Sequence, residues 1–153
     1  LPPEAIYGGM KEVVWPGRLE IVSRDPLILL DGAHNQEGLE ALARSLNQLH
    51  TALKGERFTF IFGMLHNKSL EIIDPLLPLA KRFVFTTADS GRLAPMDPGI
   101  LVDYVQSKGV QAVGYPRLAQ AMAEAKKTLP LCICGSLYLV GTVKRFLRSE
   151  SVI

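Results

Sequence analysis

The sequence predicts a three-layer α/β domain in which helices cover both faces of a mostly parallel, six-stranded sheet. Two observations lead to this fold class. Short apolar or β-branched runs alternate with helical patterns through most of the chain. Several of these runs are apolar at nearly every position, as strands buried on both faces are. Such alternation is typical of parallel strands joined by helical crossovers.

The expected strands precede or follow clear helical patterns. In chain order they cover residues 19–23, 27–30, 58–62, 83–87, 110–114 and 131–134. Leu39, Leu42 and Leu46 recur at the spacing of one helix face and predict a helix after the second strand. Further apolar stripes lie at 72–77, 101–105, 118–125 and 139–147. Pro75 must lie near the start of its helix or bend it.

Size and composition fit one globular domain. The chain has 153 residues, of which 48% are hydrophobic and 21% charged. Its net charge is +2, and it contains no dense basic run that would follow a nucleic-acid backbone. It also contains no signal peptide and no long apolar span. We therefore expect no nucleic-acid partner, no membrane partner and a cytoplasmic location.

The domain boundary is expected near residue 18. Residues 1–17 are dense in Pro and Gly and predict a linker, and residues 18–153 form the α/β domain. The chain begins with Leu1 and not Met, so we expect further sequence upstream. If a domain is missing there, apolar surface should be exposed near the strand ends.

Cys132 and Cys134 are separated by one residue in an apolar run. We expect their side chains to lie on opposite faces of a strand, which argues against a disulfide between them. Two cysteines also do not complete a metal site. The interpretation is a pair of buried, reduced small hydrophobic residues.

The most informative polar stretch is the segment 31–35, which follows the strand 27–30 and precedes a helix. In parallel sheets, ligands bind at the carboxyl ends of the strands, so these groups should face a ligand. The Asp31 carboxylate suits a ribose diol, and the His34 imidazole suits a phosphate or a nucleophile. The alternative is structural: Asn35 caps the helix, Asp31 ends the strand and His34 is a surface residue.

Ser136 follows the strand 131–134 and should lie at the same edge of the sheet. Its hydroxyl either meets a ligand or caps the last helix, and the sequence leaves both open.

Three ordered blocks carry a family resemblance. Trp15-Pro16-Gly17-Arg18 and the segment Asp31-Gly32-Ala33-His34-Asn35, thirteen positions apart from Arg18 to Asp31, resemble the paired motif that opens the C-terminal domain of folylpolyglutamate and dihydrofolate synthases. A third block, at 134–141, resembles the Gly-Ser segment near the end of that family. The resemblance implies a Rossmann-like domain similar to the C-terminal domain of the Mur ligases.

The resemblance also implies roles for single residues. Arg18 and Asp31 would contact ATP, the guanidinium near phosphate and the carboxylate near the ribose. His34 would be catalytic, and Asn35 and Ser136 would lie near the substrate. No metal ligand is expected in this chain. Asn67 and Ser69 stand where the family commonly has carboxylates, whereas Lys68 is kept.

The implied enzyme is an ATP-dependent ligase that adds L-glutamate to folate or dihydropteroate through an acyl phosphate. ATP and Mg²⁺ would be held mainly by an N-terminal ATPase domain with a phosphate-binding loop, and no G-x-x-x-x-G-K-[ST] pattern occurs in these 153 residues. This domain alone should therefore be inactive. The alternatives are another Mur-type amide ligase or a free-standing nucleotide-binding module without catalysis.

Overall fold

A computed structural model describes residues 18–150. The expected linker at 1–17, with Trp15, and the last three residues of the expected domain lie outside this range. The strands are β1 Glu20–Arg24, β2 Leu27–Leu30, β3 Phe58–Phe62, β4 Ala80–Phe85, β5 Ala112–Gly114 and β6 Leu131–Cys134. The α-helices are α1 Gln36–Ala52, α2 Pro98–Ser107, α3 Leu118–Ala125 and α4 Leu137–Ser149, and a 3₁₀ helix spans Leu70–Leu79.

All six strands form one sheet in the order β1-β2-β6-β3-β4-β5. β1 pairs antiparallel with β2, and every other neighbouring pair is parallel. β6 follows β3, β4 and β5 in the sequence, but in the sheet it lies between β2 and β3. The carboxyl ends of β2, β6, β3, β4 and β5 consequently lie along one edge of the sheet, as the predicted mostly parallel architecture requires.

Two hydrophobic cores, one on each face of the sheet, hold the three layers together. On one face, α1, the 3₁₀ helix and α2 pack on a row of phenylalanines from β3 and β4. These rings contact one another, and the Phe60 and Phe83 centroids lie 5.1 Å apart. On the other face, α3 and α4 pack on the alternate residues of β3, β4 and β6, among them Ile61, Val84 and Ile133. The expected three-layer fold is confirmed.

Glycine lets the central strands approach closely at the carboxyl edge. A Cβ at Gly63, directly after β3, would lie 2.6 Å from the Thr86 carbonyl oxygen. A Cβ at Gly135, directly after β6, would lie 2.6 Å from the Gly63 carbonyl oxygen, and Gly135 has a φ of +102°. Only glycine fits these two positions without displacing backbone. The edge that carries the polar segments is therefore closely packed.

The prediction about the cysteines was wrong in its geometry. Cys132 and Cys134 belong to the same core, on the face covered by α1, because residues two apart on a strand point to the same side. Both are buried free thiols. Burial raises the pKa of the Cys134 thiol well above its ordinary value, which keeps it protonated.

Some observed element boundaries differ from those predicted from the sequence. β4 begins at Ala80, earlier than the predicted residue 83, and β5 begins at Ala112, later than the predicted residue 110. The helix expected around 72–77 is a 3₁₀ helix with Pro75 and Pro78 inside it. Both prolines lack the N–H that a continuous α-helix needs. Within residues 18–150, no helix is long and apolar enough to cross a membrane.

Candidate functional site

Asp31 lies at the end of β2 and ties two backbone segments together. Its Oδ2 accepts a hydrogen bond of 2.8 Å from the Leu19 N–H, and its Oδ1 accepts one of 2.8 Å from the Ala33 N–H. Its own N–H donates to the Ile133 carbonyl oxygen of β6 at 2.9 Å. Leu19 has a φ of 43°, a left-handed conformation that costs a non-glycine residue about 1–2 kcal/mol. The carboxylate thus stabilises the turn that carries Arg18.

The environment of Asp31 sets its protonation. The residue is 8% exposed, and burial raises the pKa of the carboxyl above its ordinary value of 3.8. The hydrogen bonds from Leu19 and Ala33 and the nearby positive charge of Arg18 lower the pKa and partly offset burial. The main contacts of the Asp31 carboxylate are therefore with the backbone of its own loop and of Leu19, and only a small part of it faces solvent.

His34 is an exposed residue with one ring nitrogen held by the backbone. Its Nδ1 lies 2.8 Å from the Gly32 carbonyl oxygen. A carbonyl oxygen only accepts, so Nδ1 donates this hydrogen bond and the other ring nitrogen is left for a ligand.

Asn35 and Ser136 both cap helices. The Asn35 side-chain oxygen accepts from the Gly38 N–H at 2.8 Å at the start of α1. The Ser136 hydroxyl accepts from the Tyr138 N–H at 3.1 Å at the start of α4, and Ser136 is 3% exposed. The structural alternative is therefore correct for what these side chains do in the fold, and their contact with substrate stays a prediction.

A first cleft of about 620 Å³ opens beside the segment 31–35. Arg18, Asp31, His34 and Asn35 line it together with the first turns of α1, as far as Ser45. The structure thus brings together four of the five side chains predicted to form the site. The first turn of α1 borders this cleft, and the N-terminal end of a helix dipole favours anions, although the acidic Glu37 lies on the same turn.

A second cleft, of about 410 Å³, shares His34 and Leu137 with the first. It is lined by His34, Ser136, Asn67 and Lys68, with Tyr138 and three leucines. Lys68 is half-buried and is the only Lys, Arg, Asp or Glu among the described residues that line this cleft. We had not assigned Lys68 a role, although it is the residue kept at a position where its two neighbours depart from the family pattern.

Metal ligands were considered for the same edge of the sheet. Among residues 18–150, no group of three or more His, Cys, Asp or Glu side chains is arranged to hold a metal ion.

The fold and its edge define a class: an α/β domain with ligand clefts at the carboxyl ends of parallel strands. Residues 18–148 match the model of the dihydrofolate synthetase C-terminal domain, and the chain belongs to this family. The family resemblance and the fold class expected from the sequence are both confirmed.

Curated relatives give the same result over nearly the whole chain. The dihydrofolate synthase/folylpolyglutamate synthase of Bacillus subtilis is 29% identical over 95% of this chain, which spans 33% of the relative. The folylpolyglutamate synthase of Lacticaseibacillus casei is 32% identical over 96% of this chain and 33% of the relative. The chain thus spans about a third of the length of these relatives.

Solved structures of relatives share the fold. The folylpolyglutamate synthase of Thermotoga maritima superposes with a TM-score of 0.73 and 29% identity over 100% of this chain and 35% of that one. A bifunctional folylpolyglutamate synthase/dihydrofolate synthase with Mn, AMPPNP and L-glutamate bound superposes with a TM-score of 0.74 and 26% identity. The match covers 97% of this chain and 35% of that one.

Proposed function

We propose that this chain supplies one side of the active site of an ATP-dependent ligase that adds L-glutamate to folate or dihydropteroate. The observation that supports it is the pair of clefts that meet at His34 on one sheet edge. One cleft has groups suited to a nucleotide, and the other has a cation suited to a carboxylate. A ligase that joins an acyl phosphate to an amino acid needs both kinds of subsite side by side.

The first cleft is assigned to ATP. The Arg18 guanidinium would donate to phosphate oxygens, and the Asp31 carboxylate would accept from the ribose on the part of it that faces solvent. Neither the phosphate-binding loop nor a Mg²⁺ site occurs among the described residues, so both are assigned to an N-terminal ATPase domain. Mg²⁺ bound there would neutralise charge on the phosphates. Residues 1–17 would form the linker between the domains.

The second cleft is assigned to the incoming glutamate. Lys68 would pair with a carboxylate of the amino acid, and Ser136 would contact it while capping α4. Asn35, at the mouth of the first cleft, would border the reacting groups. The folate or dihydropteroate carboxylate would attack the γ-phosphate of ATP, and the glutamate amine would then displace phosphate from the acyl phosphate. Family membership favours this ligase over another Mur-type ligase or a module without catalysis.

The test uses the whole enzyme of which this chain is part. Arg18→Gln should weaken ATP binding and Lys68→Met should raise the KM for glutamate, each by about tenfold to a hundredfold, because each change removes a charge-assisted hydrogen bond. Arg44→Gln on the exposed side of α1 and Lys81→Met on β4 are matched controls that line neither cleft. Isothermal titration with an ATP analogue and steady-state kinetics give the two values. Unchanged values in both variants would contradict the assignment.

A further inference from the structure

The His34 ring occupies the boundary between the two clefts. Within the described chain, His34 and Leu137 are the residues that line both. A group at this boundary lies where the nucleotide side of the reaction meets the amino-acid side. The chemistry that His34 can perform there depends on which ring nitrogen carries the proton.

A backbone contact determines which ring nitrogen of His34 carries the proton. Because Nδ1 donates to the Gly32 carbonyl oxygen at 2.8 Å, the neutral ring is the Nδ1–H tautomer and Nε2 carries a lone pair. A lone pair repels the oxygens of a phosphate or a carboxylate. It attracts an N–H donor, and the donor that the reaction brings to this boundary is the amine of the incoming amino acid.

We infer that His34 accepts a proton at Nε2 from the amine of the incoming amino acid and does not hold the transferred phosphoryl group. This inference rests on the proposed function. The ammonium gives one proton to Nε2, and the freed nitrogen lone pair forms a bond to the acyl carbon. The C–O bond to phosphate then breaks, and phosphate leaves with its electron pair. The nitrogen loses a second proton to solvent to give the amide.

Other charged and titratable groups face the same boundary. Arg18, Asp31 and Glu37 line the first cleft, and Lys68 and Tyr138 line the second. Arg18 and Lys68 are donors suited to the phosphate and carboxylate oxygens, so anion binding does not require His34. Asp31 has both oxygens engaged by backbone N–H groups and is badly placed to take a proton from the amine.

The first experiment tests the tautomer in this 153-residue chain without any assumption about activity. Long-range proton–nitrogen correlation spectra of nitrogen-labelled protein, recorded above the pH at which histidine is protonated, report which ring nitrogen carries hydrogen. We expect a protonated Nδ1 and an unprotonated Nε2 at His34. His66, whose Nδ1 lies 3.0 Å from the Ala94 carbonyl oxygen, should show the same pattern. A protonated Nε2 at His34 with a bare Nδ1 would overturn the inference.

The second experiment separates the two half-reactions in the whole enzyme. Scrambling of an oxygen-isotope label within ATP reports reversible acyl-phosphate formation without the amino acid, and amide formation reports the whole reaction. His34→Gln should lower amide formation by about 10²- to 10⁴-fold at neutral pH, the range of general-base catalysis, and lower scrambling far less. Glutamine keeps an acceptor near Nε2 but takes no proton, so the KM for glutamate should change less than kcat.

The pH profile provides a readout that a structural role would not move. In His34→Gln, amide formation at low glutamate should keep rising with pH as solution deprotonates the amine, whereas the wild type should level off earlier. His66→Gln, which lines neither cleft, should follow the wild type. Equal losses of scrambling and amide formation, with an unchanged profile, would overturn the base assignment. A wild-type enzyme without ligase activity would instead contradict the proposed function and remove the inference with it.

Discussion

At the scale of single residues, Asp31 both holds the loops beside the first cleft and lines that cleft. Its two oxygens hold Leu19 and Ala33, and Leu19 adopts a backbone conformation that is unfavourable for its type. The charge of Arg18 lies near enough to lower the Asp31 pKa against the effect of burial. Removing this carboxylate therefore disturbs the position of Arg18 as well as any ligand contact.

Asp31→Asn should destabilise the isolated chain by about 1 to 3 kcal/mol. The amide nitrogen of asparagine must face either the Leu19 N–H or the Ala33 N–H, which leaves a buried donor without an acceptor. Urea denaturation followed by circular dichroism measures the change. Asp103→Asn, on the exposed side of α2, is the control and should stay within about 0.5 kcal/mol of the wild type. A variant as stable as this control would show that the two hydrogen bonds are dispensable.

The sequence predicted the edge of the sheet at which the two clefts open but not the contacts within them. Asp31, His34 and Ser136 were predicted at strand ends because apolar runs stop just before them. The capping of α1 by Asn35 followed from helix rules and was offered as an alternative. By contrast, the pairing of Asp31 with Leu19 joins residues twelve apart through the strained turn, which no local pattern reveals. Lys68 was overlooked because a lysine in a loop has no distinctive local signal.

At the scale of elements, the apolar composition of short runs predicts which residues form strands, but it does not predict the order of the strands in the sheet. The apolar runs of β2, β3 and β6 predicted their burial. The insertion of β6 between β2 and β3 is a pairing between distant parts of the chain. It brings Ser136 next to the loop that carries His34, so the second cleft depends on the strand order. The 3₁₀ helix likewise results from two prolines whose combined effect is hard to judge from helical spacing.

Glu124 joins α3 to β4 through Arg82 and also pairs with Lys127 just after α3, and this predicts a pH dependence of stability. Its carboxylate lies 2.7 Å from the Arg82 guanidinium and 2.7 Å from the Lys127 ammonium. Hydrogen bonds from Lys127 and Arg82 lower the Glu124 pKa from 4.5 to about 2. Because the folded pKa is the lower one, this stabilisation is present above pH 4.5 and is lost as the pH falls towards about 2.

Glu124→Gln should therefore lower the Tm at neutral pH and flatten the fall in Tm over that acidic range. Thermal melts of wild type and variant across the pH series give the difference curve. Asp31 has a raised folded pKa and the opposite slope, in which stability is lost as the pH rises from 3.8 to the raised value. It is present in both proteins, so its effect cancels in the difference. Glu150→Gln, at an exposed 3.8 Å pair with Lys126, is the control. Parallel wild-type and variant curves would contradict the role of Glu124.

At the scale of the whole molecule, exposed apolar side chains surround the second cleft. Leu93, Leu137 and Tyr138 are 43%, 57% and 49% exposed, and all three line the second cleft. The sequence had led us to expect exposed apolar groups near the strand ends if a domain is missing. Their position beside Lys68 and Ser136 supports the proposal that an N-terminal domain completes this cleft.

The isolated chain should not add glutamate to folate or dihydropteroate, although it carries the side chains that we propose to contact ATP and glutamate. It lacks the motif that cradles the phosphates of ATP, and it spans about a third of its relatives. Mass spectrometry of the products and a coupled assay for ADP release check this, with the whole enzyme as the positive control. A trace of ligase from the expression host would imitate activity. The Lys68→Met variant of this chain is therefore purified in parallel as a control. If the wild-type chain adds glutamate in an ATP-dependent reaction and Lys68→Met does so less, the proposal that the active site is divided between two domains is contradicted. Equal activity in both preparations identifies a contaminant, because the host enzyme is unaffected by the substitution.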